Sequence, residues 1–118
     1  MKFDNKLTDV MTVAGLNLIA QALTIYDADL RLVLCNAPFQ QMFDLPKALV
    51  TAGASFEETI THLARSGEYG DVADVQAFVA ERVVQARAFE PHYMERTRAN
   101  GRTISVEGSP LPQGGWVT

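Results

Sequence analysis

Apolar residues in this chain keep two rhythms, and the points where one hands over to the other mark its elements. From about residue 9 to 22, Val13, Leu16, Ile19, Ala20 and Leu23 recur at three- and four-residue steps, the spacing of one stripe on an amphipathic helix. Leu23-Thr24-Ile25-Tyr26 then alternates with a period of two, Asp27-Ala28-Asp29 supplies turn residues, and Arg31 to Asn36 alternates again. These two runs predict an antiparallel hairpin, which needs more strands to be stable. The sharpest junction follows at Asn36-Ala37-Pro38, where alternation gives way to helical spacing. Asn is a good cap and Pro suits a first turn, so a short helix from Pro38 to Phe43 is predicted, with a further turn or two after Leu45-Pro46.

Ser55-Phe56-Glu57-Glu58 has the form of a capping box, and Phe56, Ile60, Leu63 and Ala64 fall on one face until Ser66-Gly67 stops the helix. The next helix is predicted to open at Asp71, with Val72, Val75, Val79, Val83 and Ala86 as a long stripe facing a core. His92 to Arg98 and Arg102 to Gly108 flank Asn100-Gly101, two residues that tolerate positive φ and so mark a second hairpin. The segment Ser109 to Gly115 connects to a final strand at Trp116-Val117-Thr118. The order is strand, strand, helices, then three strands, with no βαβ rhythm. It predicts an α+β fold, an antiparallel sheet covered by helices on one face.

Composition narrows the function classes. A chain of 118 residues forms one domain with one core, and 47% hydrophobic with 20% charged residues is ordinary for a soluble protein. Net charge of -4 offers no broad attraction to phosphate, which argues against nucleic acid and anionic membrane as partners. The lone Cys35 excludes an internal disulfide and fits a reducing compartment. No apolar run approaches the length of a membrane span, and Met1 to Lys6 lacks the order of a signal peptide. A cytoplasmic location is the expectation.

The hairpin ending in Leu34-Cys35-Asn36-Ala37-Pro38-Phe39, the following Met42-Phe43-Asp44-Leu45-Pro46, the stretch Ser66-Gly67-Glu68-Tyr69-Gly70, and Asn100-Gly101-Arg102 through Pro110 to Thr118 together resemble the PAS superfamily. They are similar to a subgroup common in bacterial sensor histidine kinases and diguanylate cyclases, and the resemblance covers about residues 15 to 118. It implies a five-stranded antiparallel sheet with helices on one face, preceded by an N-terminal amphipathic helix. Residues 1–22 would be a dimerisation helix with its flank, and 23–118 the core, its last strand truncated because such domains usually continue into an Asp-Ile/Val-Thr segment. It also implies a signalling role, with any kinase or cyclase activity in an output domain outside this sequence.

Single residues with chemical potential have plainer readings. PAS relatives that attach flavin through cysteine use an Asn-Cys-Arg-Phe-Leu-Gln motif that is absent, so Cys35 is expected to be a small residue of the sheet. Haem-binding relatives place their His on the long helix that here carries valines, so neither haem nor flavin is expected. His62 is expected to face solvent or a capping turn, His92 sits at a strand start, and neither is assigned a metal. Glu57 and Glu58 in a first turn are explained by the helix dipole. Arg96, Arg98 and Arg102 around a hairpin suit either a carboxylate or a solvated strand edge, and the edge is favoured. Gly114-Gly115 is a turn, with no phosphate-loop pattern around it.

Two groups of residues carry the functional expectation. A cavity between sheet and helices would be lined by Ile25, Leu34, Phe43, Phe56 and Ile60, together with Leu63, Phe78, Val79, Met94 and Ile104. A packed, empty core stands slightly ahead of an unknown small-molecule ligand there. Val13, Leu16, Ile19, Ala20 and Leu23 would pair with a second copy, giving a homodimer. The expected function is a sensor and dimerisation module; the alternative is a constitutive interaction domain without ligand. An enzyme such as a small isomerase is disfavoured, since no convergent acid, base and oxyanion donors are seen.

Overall fold

The computed structural model describes residues 11, 12, 14–112 and 114–118. After a helical segment that ends at residue 17, the elements are β1 (Thr24–Tyr26), β2 (Leu32–Cys35), α1 (Ala37–Phe43), a 3-10 turn (Lys47–Leu49), α2 (Phe56–Arg65), α3 (Val75–Arg87), β3 (His92–Thr97), β4 (Thr103–Pro110) and β5 (Trp116–Val117). The sheet order is β2-β1-β5-β4-β3, with every neighbouring pair antiparallel. The last strand thus fills the centre and joins two hairpins that are far apart in sequence. Thr24 and Thr118 extend the β1–β5 ladder by exchanging backbone hydrogen bonds, each of 2.9 Å.

Local sequence explains the helix ends. Asn36 caps α1 by accepting from the Phe39 amide, and Asp44 closes it in the left-handed region at φ 50°. Ser55 accepts from the Glu58 amide at the start of α2, where Glu57 and Glu58 face the positive end of the helix. The expected start of α3 at Asp71 is corrected: Asp74 is the cap, accepting from the Ala77 amide, so Val72 precedes the helix. The long valine stripe is corrected too. Val79 is the buried residue of α3, whereas Val75, Val83 and Ala86 are half-buried and Val84 is exposed, because the apolar residues surround the helix instead of sharing one face.

The leading helix ends before the expected residue 22. Beyond residue 17 the chain turns through three-residue bonds, from Leu18 N to Gly15 O and from Ile19 N to Leu16 O. Tertiary bonds replace the helical ones: the Asn36 side-chain amide donates to the carbonyls of Leu16 (3.1 Å) and Gln21 (2.7 Å), and Asn17 Oδ1 accepts from the Ala37 amide. Asn17 therefore supplies a second acceptor at the start of α1.

The buried cluster lies among the helices and comprises Phe39, Leu45, Leu49, Ile60, Leu63 and Val79. The sheet meets this layer through Thr24 and Tyr26, with the Tyr26 ring edge-on to Phe56 at 5.5 Å. Strand alternation then turns Ile25 to the opposite face, and register carries Leu34 and Val117 with it. The expectation that Ile25 and Leu34 line the side facing the helices is thereby corrected. A bulge contributes: Ile25 pairs with Leu34 but Tyr26 with Leu32, leaving Val33 without an opposite residue.

On the second hairpin, Met94 and Arg96 lie opposite Val106 and Ile104 on the helix side, while Tyr93, Glu95 and Thr97 face outward with Glu107, Ser105 and Thr103. The outward face is polar, as suits an edge strand: Tyr93 donates to Glu95 at 2.9 Å, and the Thr97 and Thr103 hydroxyls share a bond of 3.1 Å. That Glu95 bond pushes the Tyr93 phenol above its usual range.

The inner corner of this hairpin is aromatic. His92 stacks on Trp116 at 5.1 Å, and Phe89 lies 6.3 Å from the same indole. Gly108 makes room for it, since a Cβ there would stand 2.4 Å from Trp116 Cζ2. Gly108→Ala is therefore expected to cost about 1–3 kcal/mol through displacement of a buried indole, read as a lowered midpoint in urea unfolding with Trp116 fluorescence as the probe. An unchanged midpoint would mean that the indole moves at no cost. Gly115 is constrained by backbone, at φ 100° with its missing Cβ position 2.6 Å from Tyr26 O.

Candidate functional site

The hairpin and the helical layer are fastened by a three-residue ionic clasp. Gly67, at φ 85°, turns the chain out of α2 and presents Glu68 to β3. Arg98 donates to Glu68 through Nε and Nη2, with contacts of 2.9 Å to each carboxylate oxygen, and Arg96 Nη1 reaches Oε2 at 2.9 Å. Both guanidiniums also lie over rings, Arg98 at 5.0 Å from Phe43 and Arg96 at 4.8 Å from Tyr69. Nη2 of Arg98 donates to Met42 O at 2.8 Å, so one side chain ties the hairpin to α1 as well. The solvated-edge reading of the arginines is thus corrected for Arg96 and Arg98, which bind an internal carboxylate; Arg102 stays exposed. Their two-residue spacing was the available signal, because it puts both on one strand face.

The electrostatics follow from this geometry. Burial pushes the Glu68 carboxyl upward, but the hydrogen bonds and charges of Arg98 and Arg96 outweigh it and hold the group below the usual carboxylate range. The Arg98 guanidinium is raised by the same bond. Burial raises the Tyr69 phenol, whose ring also meets Phe78 at 4.9 Å. It likewise raises the Cys35 thiol, which lies 3.7 Å from Val50 O; such a thiol is a poor nucleophile. A carboxylate held ionised by two arginines is also a poor base, so the clasp suits binding and positioning.

Beside it opens a cleft of about 460 Å³. Phe43 and Asp44 enter it from the end of α1, and His62, Ser66, Gly67 and Glu68 from the end of α2. Arg98, Ala99 and Asn100 close it from the hairpin turn. His62, expected at the surface or in a capping turn, is half-buried in the last turn of α2.

The expected cavity residues divide into groups. Ile60, Leu63 and Val79 belong to the buried cluster, and Phe43, Phe56 and Phe78 pack against it. Of the ten, Phe43 also lines the cleft. Met94 and Ile104 share the helix-facing side of the second hairpin, where Met94 remains 43% exposed. Of the expected pairing residues, Leu16 and Leu23 are half-buried, Ile19 and Ala20 are exposed, and Val13 lies outside the described residues. No described helix is long and apolar enough to cross a membrane.

A search among curated proteins finds no match. Several solved structures share the architecture at low identity. The PAS domain of Bordetella pertussis BvgS superposes with a TM-score of 0.55 at 21% identity, covering 97% of this chain and 83% of that one. A domain of a sensory box sensor histidine kinase/response regulator from Geobacter sulfurreducens gives 0.50 at 18% identity, covering 97% and 93%. The phage VqmA-DPO complex gives 0.54 at 17% identity, and there the match covers 96% of this chain but 51% of the other. The family model described as "PAS fold" matches residues 16–118, which takes in every strand and helix of the sheet-and-helix body and the cleft between them. The chain belongs to the PAS fold family.

Proposed function

We propose that this chain is the sensor and dimerisation module of a bacterial signal-transduction protein of histidine kinase or diguanylate cyclase type, passing a ligand or partner signal to an output domain outside this sequence. The observation that carries the reading is how residues 16–23 are held. Asn36 and Asn17 fasten this segment to the start of α1, yet Leu18 is 89% exposed and Ile19 41% exposed. Val33, beside the outward-facing Leu34, is exposed as well. A second copy laid on this side would bury apolar surface that one chain leaves in water. Movement between copies would then reach α1 through the two asparagines, which gives the module a path from its leading segment to its core.

Native mass spectrometry of the protein beside a denatured sample, with an absorbance spectrum of the same stock, tests this. A homodimer is expected, converted to monomer by a Leu18→Glu/Ile19→Glu double variant whose circular dichroism is unchanged. A discrete extra mass lost on denaturation would add a bound small molecule to the reading. A monomer at every concentration reached, or a dimer indifferent to the double variant, would overturn pairing through this segment.

A further inference from the structure

We propose that the cleft beside the Glu68 clasp is a binding site for a small zwitterion carrying an amine and a carboxylate, such as a free α-amino acid. Its lining carries groups of both kinds. On the hairpin side, Glu68 is shared between Arg98, which lines the cleft, and Arg96, which does not, so Arg98 does not have to neutralise that carboxylate alone. Arg98 uses Nε and Nη2 for Glu68 and Met42, and among the described residues Nη1 makes no hydrogen bond. The turn after it adds neutral donors: its own bonds run from Gly101 N to Arg98 O and from Arg98 N to Arg102 O, so the amides of Ala99 and Asn100 are not used in closing it. Asn100 Oδ1 accepts from Arg102 N, which leaves its side-chain NH₂ as another donor. A guanidinium edge with neighbouring amides is the equipment that recognises a carboxylate.

Asp44, at the end of α1, also lines the cleft, an exposed carboxylate in no ion pair among the described residues. It is two residues from Met42, whose carbonyl Arg98 already reaches, so the two side chains lie within the span of a small molecule. Phe43 provides an apolar surface between them, and about 460 Å³ falls within the range of small-ligand sites. An ammonium on Asp44 and a carboxylate on Arg98 would each meet its opposite charge, whereas a simple anion or a simple amine would satisfy one of the two alone.

Binding rests on the cleft by itself; only its use as a signal rests on the sensor reading above. The test is a ¹⁵N–¹H NMR titration of the protein with each proteinogenic L-amino acid singly, and with the matching acid lacking the amine. The expected result is saturable shifts at Asp44, Gly67, Ala99 and Asn100 for at least one amino acid. Asp44→Asn, a change at the surface outside the clasp, should weaken that binding by about tenfold. The same change should leave the weaker binding of the deaminated acid alone. No shift with any amino acid at millimolar concentration, or shifts confined to residues such as Met94 and Ile104, would overturn the site. The second pattern would leave a ligand-sensing module standing with its pocket elsewhere. Equal affinity of wild type and Asp44→Asn would overturn the zwitterion.

Discussion

Replacing Glu68 by alanine is expected to destabilise the fold by about 3–5 kcal/mol, because it strands two largely buried guanidiniums without their carboxylate. The side chains concerned are 9% exposed for Glu68, 12% for Arg98 and 22% for Arg96, so water replaces little of what is lost. For a domain of this size the melting temperature should fall on the order of 10 °C. The effect carries a pH signature. Arg98 and Arg96 hold the Glu68 carboxyl below its unfolded value despite its burial, so its contribution is fully present above the ordinary carboxylate pKa of about 4.3. It is lost as pH falls through that value toward the depressed folded one. The melting difference between wild type and Glu68→Ala should therefore be largest near neutrality and shrink below about pH 4. A difference that is independent of pH would mean that packing of the Glu68 stem, and not its charge, is what matters. Adding Arg98→Ala to Glu68→Ala should cost less than the sum of the two, since each leaves the other's partner stranded.

Asn36→Ala is expected to cost about 3–4 kcal/mol. This side chain is 2% exposed, and all its polar atoms are engaged. Its oxygen accepts from Leu23 N (2.9 Å) and Phe39 N (3.2 Å), while its nitrogen donates to Leu16 O and Gln21 O. Loss of the cap on α1 accounts for about 1 kcal/mol, and Leu23 N and Gln21 O, which lose their partner, add about 1–3 kcal/mol each, with overlap where water gains entry, whereas Leu16 O and Phe39 N keep bonds to Ile19 N and Asn36 O. Urea unfolding measures the total. Amide hydrogen exchange locates it: residues 16–23 should lose protection in Asn36→Ala before α2 and α3 do. Protection that declines evenly over the whole chain would show that Asn36 is simply part of the core and does not tether the leading segment.

These two clusters differ in how legible they are in the sequence. Asn36 announces itself, because a cap followed by Ala37-Pro38 is a local signal with a local mechanism, and α1 lies where that signal puts it. The second hairpin is equally local, fixed by Asn100-Gly101. Glu68, by contrast, meets Arg96 and Arg98 across 28 and 30 residues, and no periodicity encodes that encounter. The start of α3 expected at Asp71 lies three residues too early, because a second Asp before a valine, Asp74, is the one whose side chain caps the helix. Facing of Ile25 and Leu34 depended on which partners their strands acquire, and the central place of β5 is invisible to a period of two. The cleft residues come from three separated segments, so their convergence had no sequence signature beyond the resemblance of the whole.

The position of β5 has a consequence for how the chain is made. Trp116 and Val117 follow the other four strands in sequence, yet they form the seam between β1 and β4. During synthesis the β1–β2 and β3–β4 ribbons must wait with unpaired edges until these residues leave the ribosome. Closure then comes from contacts far apart in sequence, such as Ile25 with Val117, the slowest kind to form. The β1–β2 ribbon, made first, waits longest, whereas the second ribbon is made just before the seam, and its polar outer face, with its threonine and glutamate pairs, discourages association with a neighbouring nascent chain.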